Sequence, residues 1–261
     1  PTLQQNHHPI MKCLTSFPLL FFSLLTPTLA WDDVILLPLT NATTSSPPLL
    51  ILFAQGADIK PAQYQPLLSA LQEALLPTPV WVGIPEFPLD VAAIPLGISS
   101  SMKRIAKDLH AAGCPSSVTT VYGGHSLGGA MIPDYVNSLL PHDEVSSMFL
   151  LGSFLTRKYK DDTTHEVTFP IPTLTIGGEL DGLCRITRIA EAARTQPPSH
   201  PVTVVESINH MNFASGEPPS FVADNDLKSE VTEAEAHARI VSDIAAFIAG
   251  DDEALSARVA E

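Results

Sequence analysis

The sequence has few cysteines, little positive charge and none of the common metal- or phosphate-binding motifs. Three of its 261 residues are cysteine. Fourteen Lys and Arg against 28 Asp and Glu give a net charge of −14, which argues against nucleic acid or an anionic membrane surface as a partner. H-E-x-x-H, paired-cysteine, G-x-x-x-x-G-K and dinucleotide fingerprints are missing, so we expect no metal site and no cofactor.

One long apolar run lies near the N-terminus. A lysine, an apolar stretch over residues 14–25 and a final small residue mark the segment from Met11 to Ala30. This pattern is typical of a secretory signal peptide and predicts a secreted protein or one in the secretory-pathway lumen. Pro18 and Pro27 interrupt the run, and it is short for a membrane span; an uncleaved anchor is the alternative. We expect no stable membrane insertion of the mature chain, and we expect residues 1–30, the upstream residues plus the signal peptide, to lie outside the folded domain.

Export would also make Asn41-Ala42-Thr43 an acceptor for N-glycosylation in a cell that glycosylates.

Beyond Ala30, apolar strands alternate with amphipathic helices. Residues 49–53 are apolar throughout, as in a central parallel strand. The predicted strands are residues 49–53, 80–83, 117–122, 147–151, 173–176 and 202–205, and the predicted helices are residues 61–76, 97–112, 130–136, 183–195 and 232–249. Such alternation predicts an α/β fold, a mostly parallel central sheet with helices on both faces. No linker or repeat divides the chain, so we expect residues 31–261 to form a single domain. The insert over residues 152–172 is too short for a large lid.

The two cysteines of the mature chain are expected to stay unpaired. Cys114 precedes one predicted strand and Cys184 follows another. Those strand ends lie at opposite edges of a parallel sheet, farther apart than a disulfide reaches.

A serine in a glycine-rich turn is the most informative motif. Gly124-His125-Ser126-Leu127-Gly128 has the pattern G-x-S-x-G, with a β-branched run before it and a helical stretch after it. This context predicts a nucleophile elbow, a sharp strand-to-helix turn that exposes Ser126 at the helix N-terminus. Free N–H groups and the helix dipole there favour an oxyanion.

A base and an acid are available in the order that this chemistry needs. A serine hydroxyl becomes nucleophilic when a base takes its proton and an acid orients that base. Asp181 lies in a Gly-rich loop after the strand at residues 173–176, and His210 follows the last strand. The order Ser126, Asp181, His210 predicts a catalytic triad. Glu179, two residues before Asp181, is the main alternative for the acid, and Asp134, on the predicted helix after Ser126, is a weaker one.

These motifs resemble those of serine α/β-hydrolases over residues 49–250, and most closely small, lid-poor esterases similar to dienelactone hydrolase and chlorophyllase. Residues 53–64 resemble the first oxyanion loop of that group. The resemblance implies the α/β-hydrolase fold with a minimal lid, and oxyanion donors at the backbone N–H groups of Ala57 and Leu127. Gln55 replaces the histidine common at that position, so it is an alternative donor.

The predicted reaction is acyl transfer from an ester to water through an acyl-enzyme. The same triad also serves acyltransferases, thioesterases and amidases, and a non-catalytic binding protein on the same scaffold is a further alternative. The expected partner is a small-molecule or lipid-like ester. Four apolar residues flank the predicted site and are candidates for its substrate pocket: Met131, Phe87, Met211 and Phe213.

Overall fold

A computed structural model describes residues 31–43, 45–93, 97–139 and 145–259, with the side chains described up to residue 255. The predicted signal peptide from Met11 to Ala30 lies outside the described residues. From Trp31 onward the described residues form one compact unit. Asn41, the predicted glycosylation acceptor, is exposed.

The described residues contain seven strands in one sheet and seven α-helices. The strands are β1 (Val34–Leu36), β2 (Leu49–Ala54), β3 (Val80–Ile84), β4 (Thr119–His125), β5 (Val145–Leu151), β6 (Thr173–Gly178) and β7 (Val202–Val205). The helices are α1 (Gln65–Ala74), α2 (Gly97–Ala111), α3 (Ser126–Leu139), α4 (Ile186–Thr195), α5 (Ser220–Asn225), α6 (Glu233–Ala249) and α7 (Asp252–Val259).

The strands lie in the order β1-β3-β2-β4-β5-β6-β7. Every neighbouring pair is parallel except β1 and β3, which are antiparallel. The predicted mostly parallel sheet is therefore confirmed, and β1 is an edge strand that the sequence pattern did not reveal. Since the strands from β2 to β7 run the same way, the loops that follow them meet along one edge of the sheet.

Helices cover both faces of the sheet because its central strands are apolar on both sides. Ile51 and Phe53 of β2 pack in one core cluster with residues of α1 and α6. Leu50 and Leu52, which alternate with them, pack in a second cluster with residues of α2 and α3. All six residues of β2 are buried, as expected for a strand between two helical layers.

Cys114 and Cys184 are both free, as predicted, and both are buried. Among the described helices, none is long and apolar enough to cross a membrane.

Candidate active site

Ser126 lies at a sharp turn between β4 and α3. Strand β4 ends at His125, and Ser126 is the first residue of the helix, with a left-handed φ of +52°. Gly128 makes the turn sterically feasible, because a Cβ there would collide with the carbonyl oxygens of Ala54 and Gln55. A strained residue held in this way is typical of a nucleophile elbow.

His210 and Asp181 form a buried hydrogen-bonded pair. His210 Nδ1 lies 2.8 Å from Asp181 Oδ2, and their side chains are 1% and 0% exposed. Asp181 Oδ1 accepts the backbone N–H groups of Leu183 at 2.9 Å and Cys184 at 2.6 Å. Both oxygens of Asp181 are thus occupied, which fixes the orientation of the carboxylate toward the imidazole.

The other ring nitrogen of His210 is free to receive a proton. Its Nε2 atom is buried and has no hydrogen-bond partner among the described residues. Ser126 and His210 line the same cavity, of about 270 Å³. No hydrogen bond joins them in the structure; in free enzymes such contacts often tighten only when substrate binds.

The structure thus brings Ser126, Asp181 and His210 to one end of the sheet. The rival acids point elsewhere: Glu179 accepts the backbone N–H of Ser207 at 2.9 Å, and Asp134 accepts the hydroxyl of Tyr159 at 2.5 Å.

The loop after β2 lies beside the elbow, as expected for an oxyanion loop. The N–H of Gly56 donates to the Tyr64 hydroxyl at 2.8 Å, and the N–H of Asp58 donates to the carbonyl of Asp90 at 3.0 Å. The amides on either side of Ala57 are therefore engaged. Leu127 is the second residue of α3, where a backbone N–H has no intrahelical acceptor.

The side chain of Gln55, the alternative donor, is fully buried, and its amide nitrogen donates to Asp90 Oδ1 at 3.2 Å. One of the two N–H groups of the Gln55 side chain is therefore already engaged and cannot donate to an oxyanion.

A buried polar network lies beneath the elbow. The Tyr64 hydroxyl accepts the Gly56 N–H at 2.8 Å and forms a hydrogen bond of 2.9 Å with His125 Nδ1. The ring of His125 packs against that of His210, with 4.5 Å between centroids. Burial, together with the charge that His210 can carry, lowers the pKa of His125 well below its usual value. His125 is therefore a neutral packing group beside the site.

Cys184 borders the cavity but is not activated. Burial, together with the nearby Asp181, raises the pKa of its thiol to about 12. The protonated thiol is a poor nucleophile at neutral pH.

The candidate pocket residues need correcting. Phe87 and Phe213 are 1% and 0% exposed and belong to the two core clusters, as does the buried Met211. Met131 is half-buried against the second cluster. None of the four borders the Ser126 cavity, which is lined by Ser126, Leu127, Ala130, Gly152, Ser153, Phe154, Thr156, Leu183, Cys184 and His210. Nearness in sequence to a catalytic residue did not predict which way these side chains point.

Two sets of residues were missed by sequence reasoning. The segment after β5, at residues 152–156, forms one wall of the cavity, although its length was interpreted only as the lack of a large lid. Asp226 accepts backbone N–H groups from the loops that carry Asp181 and His210. No motif marked either set.

A parallel sheet with a nucleophile elbow and a buried acid–histidine pair at its carboxyl edge defines an α/β-hydrolase. The model of the Alpha/beta hydrolase family matches residues 50–220, and the chain belongs to that family. The predicted fold and family are confirmed. No curated protein sequence matches the chain.

Solved structures share the fold at low sequence identity. A predicted CIB-like hydrolase from Thermoplasma acidophilum is 17% identical with a TM-score of 0.51, over 83% of this chain and 99% of that chain. Esterase 2 of Thermogutta terrifontis, phosphonylated by sarin, is 15% identical with a TM-score of 0.54, over 83% and 89%. A soluble variant of the Saccharomyces cerevisiae monoglyceride lipase, bound to a substrate analogue, is 10% identical with a TM-score of 0.55, over 83% and 90%.

Proposed function

We propose that this protein is a serine carboxylic-ester hydrolase that works through Ser126, His210 and Asp181. The observation that carries the proposal is the buried His210–Asp181 pair: His210 lines the same cavity as Ser126, and its Nε2 atom has no hydrogen-bond partner among the described residues. An imidazole fixed at Nδ1 by a carboxylate accepts a proton at Nε2, which is what a serine nucleophile needs.

In the proposed reaction, Ser126 Oγ attacks the ester carbonyl while His210 Nε2 takes the hydroxyl proton. The new C–O bond makes a tetrahedral oxyanion, which the N–H groups of Ala57 and Leu127 stabilise, each by about 3 kcal/mol. His210 then gives its proton to the leaving alcohol as the C–O bond to it breaks. Water, deprotonated by His210, then attacks the acyl-enzyme; the bond between the acyl carbon and Ser126 Oγ breaks, His210 returns the proton to Oγ, and the acid is released.

The cavity favours esters with short acyl chains. Its volume of about 270 Å³ is at the small end for ligand pockets, and Leu127, Ala130, Phe154 and Leu183 give it apolar walls. The hydrolysis rates of p-nitrophenyl esters are therefore expected to be highest for acetate or butyrate and to fall toward palmitate.

A fluorophosphonate probe tests the serine chemistry without choosing a substrate. We expect one equivalent to add to the wild-type protein, and peptide mapping by mass spectrometry to find it on Ser126. Ser153, which borders the same cavity, should stay unlabelled. A protein that neither labels nor hydrolyses any ester of the series would refute the proposal.

Gly152→Ala is expected to lower kcat by about 100-fold because it disturbs the acid–histidine pair directly. Gly152 has a φ of +50°, and a Cβ there would lie 3.0 Å from both Asp181 Oδ2 and His210 Nδ1. Ester turnover measured alongside thermal unfolding separates this effect from backbone strain.

Gly216→Ala is the matched control for that strain. Gly216 also has a left-handed φ, of +79°, but a Cβ there has no neighbour nearer than 3.8 Å. The control should lose some stability and keep its kcat. Equal activity losses in the two variants would show that strain, and not contact with the pair, causes the effect.

A further inference from the structure

One carboxylate outside the proposed triad joins the two loops that carry the acid and the base. Asp226 Oδ1 accepts the backbone N–H groups of Gly182 at 3.0 Å and His210 at 3.1 Å. Asp226 Oδ2 accepts the N–H of Met211 at 3.0 Å. Oδ1 also accepts the N–H of Leu227, its own neighbour, at 3.1 Å.

These donors come from separate parts of the chain, and the side chain that joins them lies in a third. Gly182 directly follows Asp181 in the loop after β6, whereas His210 and Met211 lie in the loop after β7. Asp226 itself follows α5, in the long connection before α6. A single side chain therefore fixes the main chain next to the proposed acid and the main chain of the proposed base.

The surrounding contacts leave this segment little freedom. A Cβ on residue 182 would collide with the carbonyl oxygen of Asn225 and would lie 2.8 Å from the Cα of Asp226. The side-chain amide of Asn209, next to His210, donates to the carbonyl of Leu227 at 2.6 Å. The histidine loop thus donates three hydrogen bonds to the segment after α5, from the N–H groups of His210 and Met211 and from the side-chain amide of Asn209.

The chemistry of the contact favours a carboxylate over a neutral side chain. Hydrogen bonds from amide N–H groups to an ionised oxygen are shorter and stronger than those between neutral groups. A carboxylate has two oxygens that only accept: here Oδ1 joins the two loops through Gly182 and His210, and Oδ2 holds Met211, whereas an amide side chain has one such oxygen.

We propose that Asp226 is a positioning residue: it holds the loops of Asp181 and His210 in the relative position that proton transfer from Ser126 requires. This inference rests on the proposed function and extends it to a residue that touches neither substrate nor the reacting atoms. Loss of this link moves the imidazole relative to Ser126, and small misplacements of a base are costly.

Asp226→Asn tests the link with a side chain of the same size. The amide oxygen is expected to keep facing the donors on Gly182, His210 and Leu227, so the new NH₂ group meets the N–H of Met211 and displaces the main chain beside the proposed base. We expect kcat to fall by about 10- to 100-fold. KM should change by less than about threefold, because Asp226 is not part of the cavity lining. Asp226→Ala, which removes both oxygens, should lower kcat further.

Asp224→Asn is the matched control, since Asp224 is exposed on the same segment. All rates are expressed per active site, counted from the burst of p-nitrophenol in the first turnover, so that unfolded protein does not enter kcat. A kcat per active site within twofold of wild type for Asp226→Ala would overturn the proposal, even if its melting temperature falls.

Amide hydrogen exchange gives a readout that does not depend on turnover. In Asp226→Ala, exchange should accelerate in peptides from both loops, residues 179–184 and 207–213, and stay unchanged in Asp224→Asn. Unchanged exchange in both loops would overturn the link itself. Faster exchange in a protein whose wild type neither labels nor turns over would keep the link and refute the ester hydrolase.

Discussion

Ser126→Ala is expected to lower kcat/KM for p-nitrophenyl butyrate by about 10⁴- to 10⁶-fold. The change removes the atom that forms the acyl-enzyme and leaves the His210–Asp181 pair intact. Alanine has the same Cβ as serine, so the left-handed turn at this position keeps its geometry and the melting temperature should stay near that of wild type. Steady-state hydrolysis with circular-dichroism melting measures both quantities.

Ser116→Ala is the control, because Ser116 is exposed in the loop before β4, at the opposite edge of the sheet. It should keep full activity. Adding His210→Ala to Ser126→Ala should cost little more than the single change, since residues that act as one unit lose their effect together. A Ser126→Ala protein with more than a tenth of the wild-type rate would contradict the mechanism.

The fold could be predicted from the sequence wherever the local hydrophobic pattern reflects the burial of the element. Residues 49–53 are apolar throughout, and the structure has a central strand there with both faces covered. The edge strand Val34–Leu36 was missed because three residues are too few for a periodic pattern and its pairing partner, β3, lies far along the chain. Helix ends were predicted less well, since α4 begins at Ile186 rather than at residue 183.

The sequence likewise predicted some residues of the candidate site and missed others. Ser126, Asp181 and His210 could be chosen because each follows a strand and the strand ends of a parallel sheet meet at one edge. The cavity walls could not be predicted, because the direction of a side chain in a loop or turn depends on how that segment packs: Phe213, in the turn that carries His210, points into the core. Asp226 could not be predicted either, because its hydrogen bond to Gly182 spans 44 positions and depends on how two loops pack.

Asp181→Asn is the second large effect we expect, a loss in kcat of about 10⁴-fold. Asp181 Oδ1 accepts two backbone N–H groups, from Leu183 and Cys184, and Oδ2 faces His210 Nδ1. In the asparagine variant the carbonyl oxygen must keep facing the two backbone donors, because an NH₂ group there would meet two N–H groups. The new NH₂ group is therefore forced toward His210.

An NH₂ group in that position donates to His210 Nδ1 and so selects the tautomer with its proton on Nε2. That nitrogen then cannot accept the hydroxyl proton of Ser126, although the fold and the cavity are unchanged. Glu179→Gln is the matched control, because Glu179 is the rival acid and its contact is the N–H of Ser207, which glutamine can still satisfy. Single-turnover acylation rates should fall for Asp181→Asn alone. Comparable losses in the two variants, or a loss below about tenfold for Asp181→Asn, would mean that Asp181 does not set the protonation of His210.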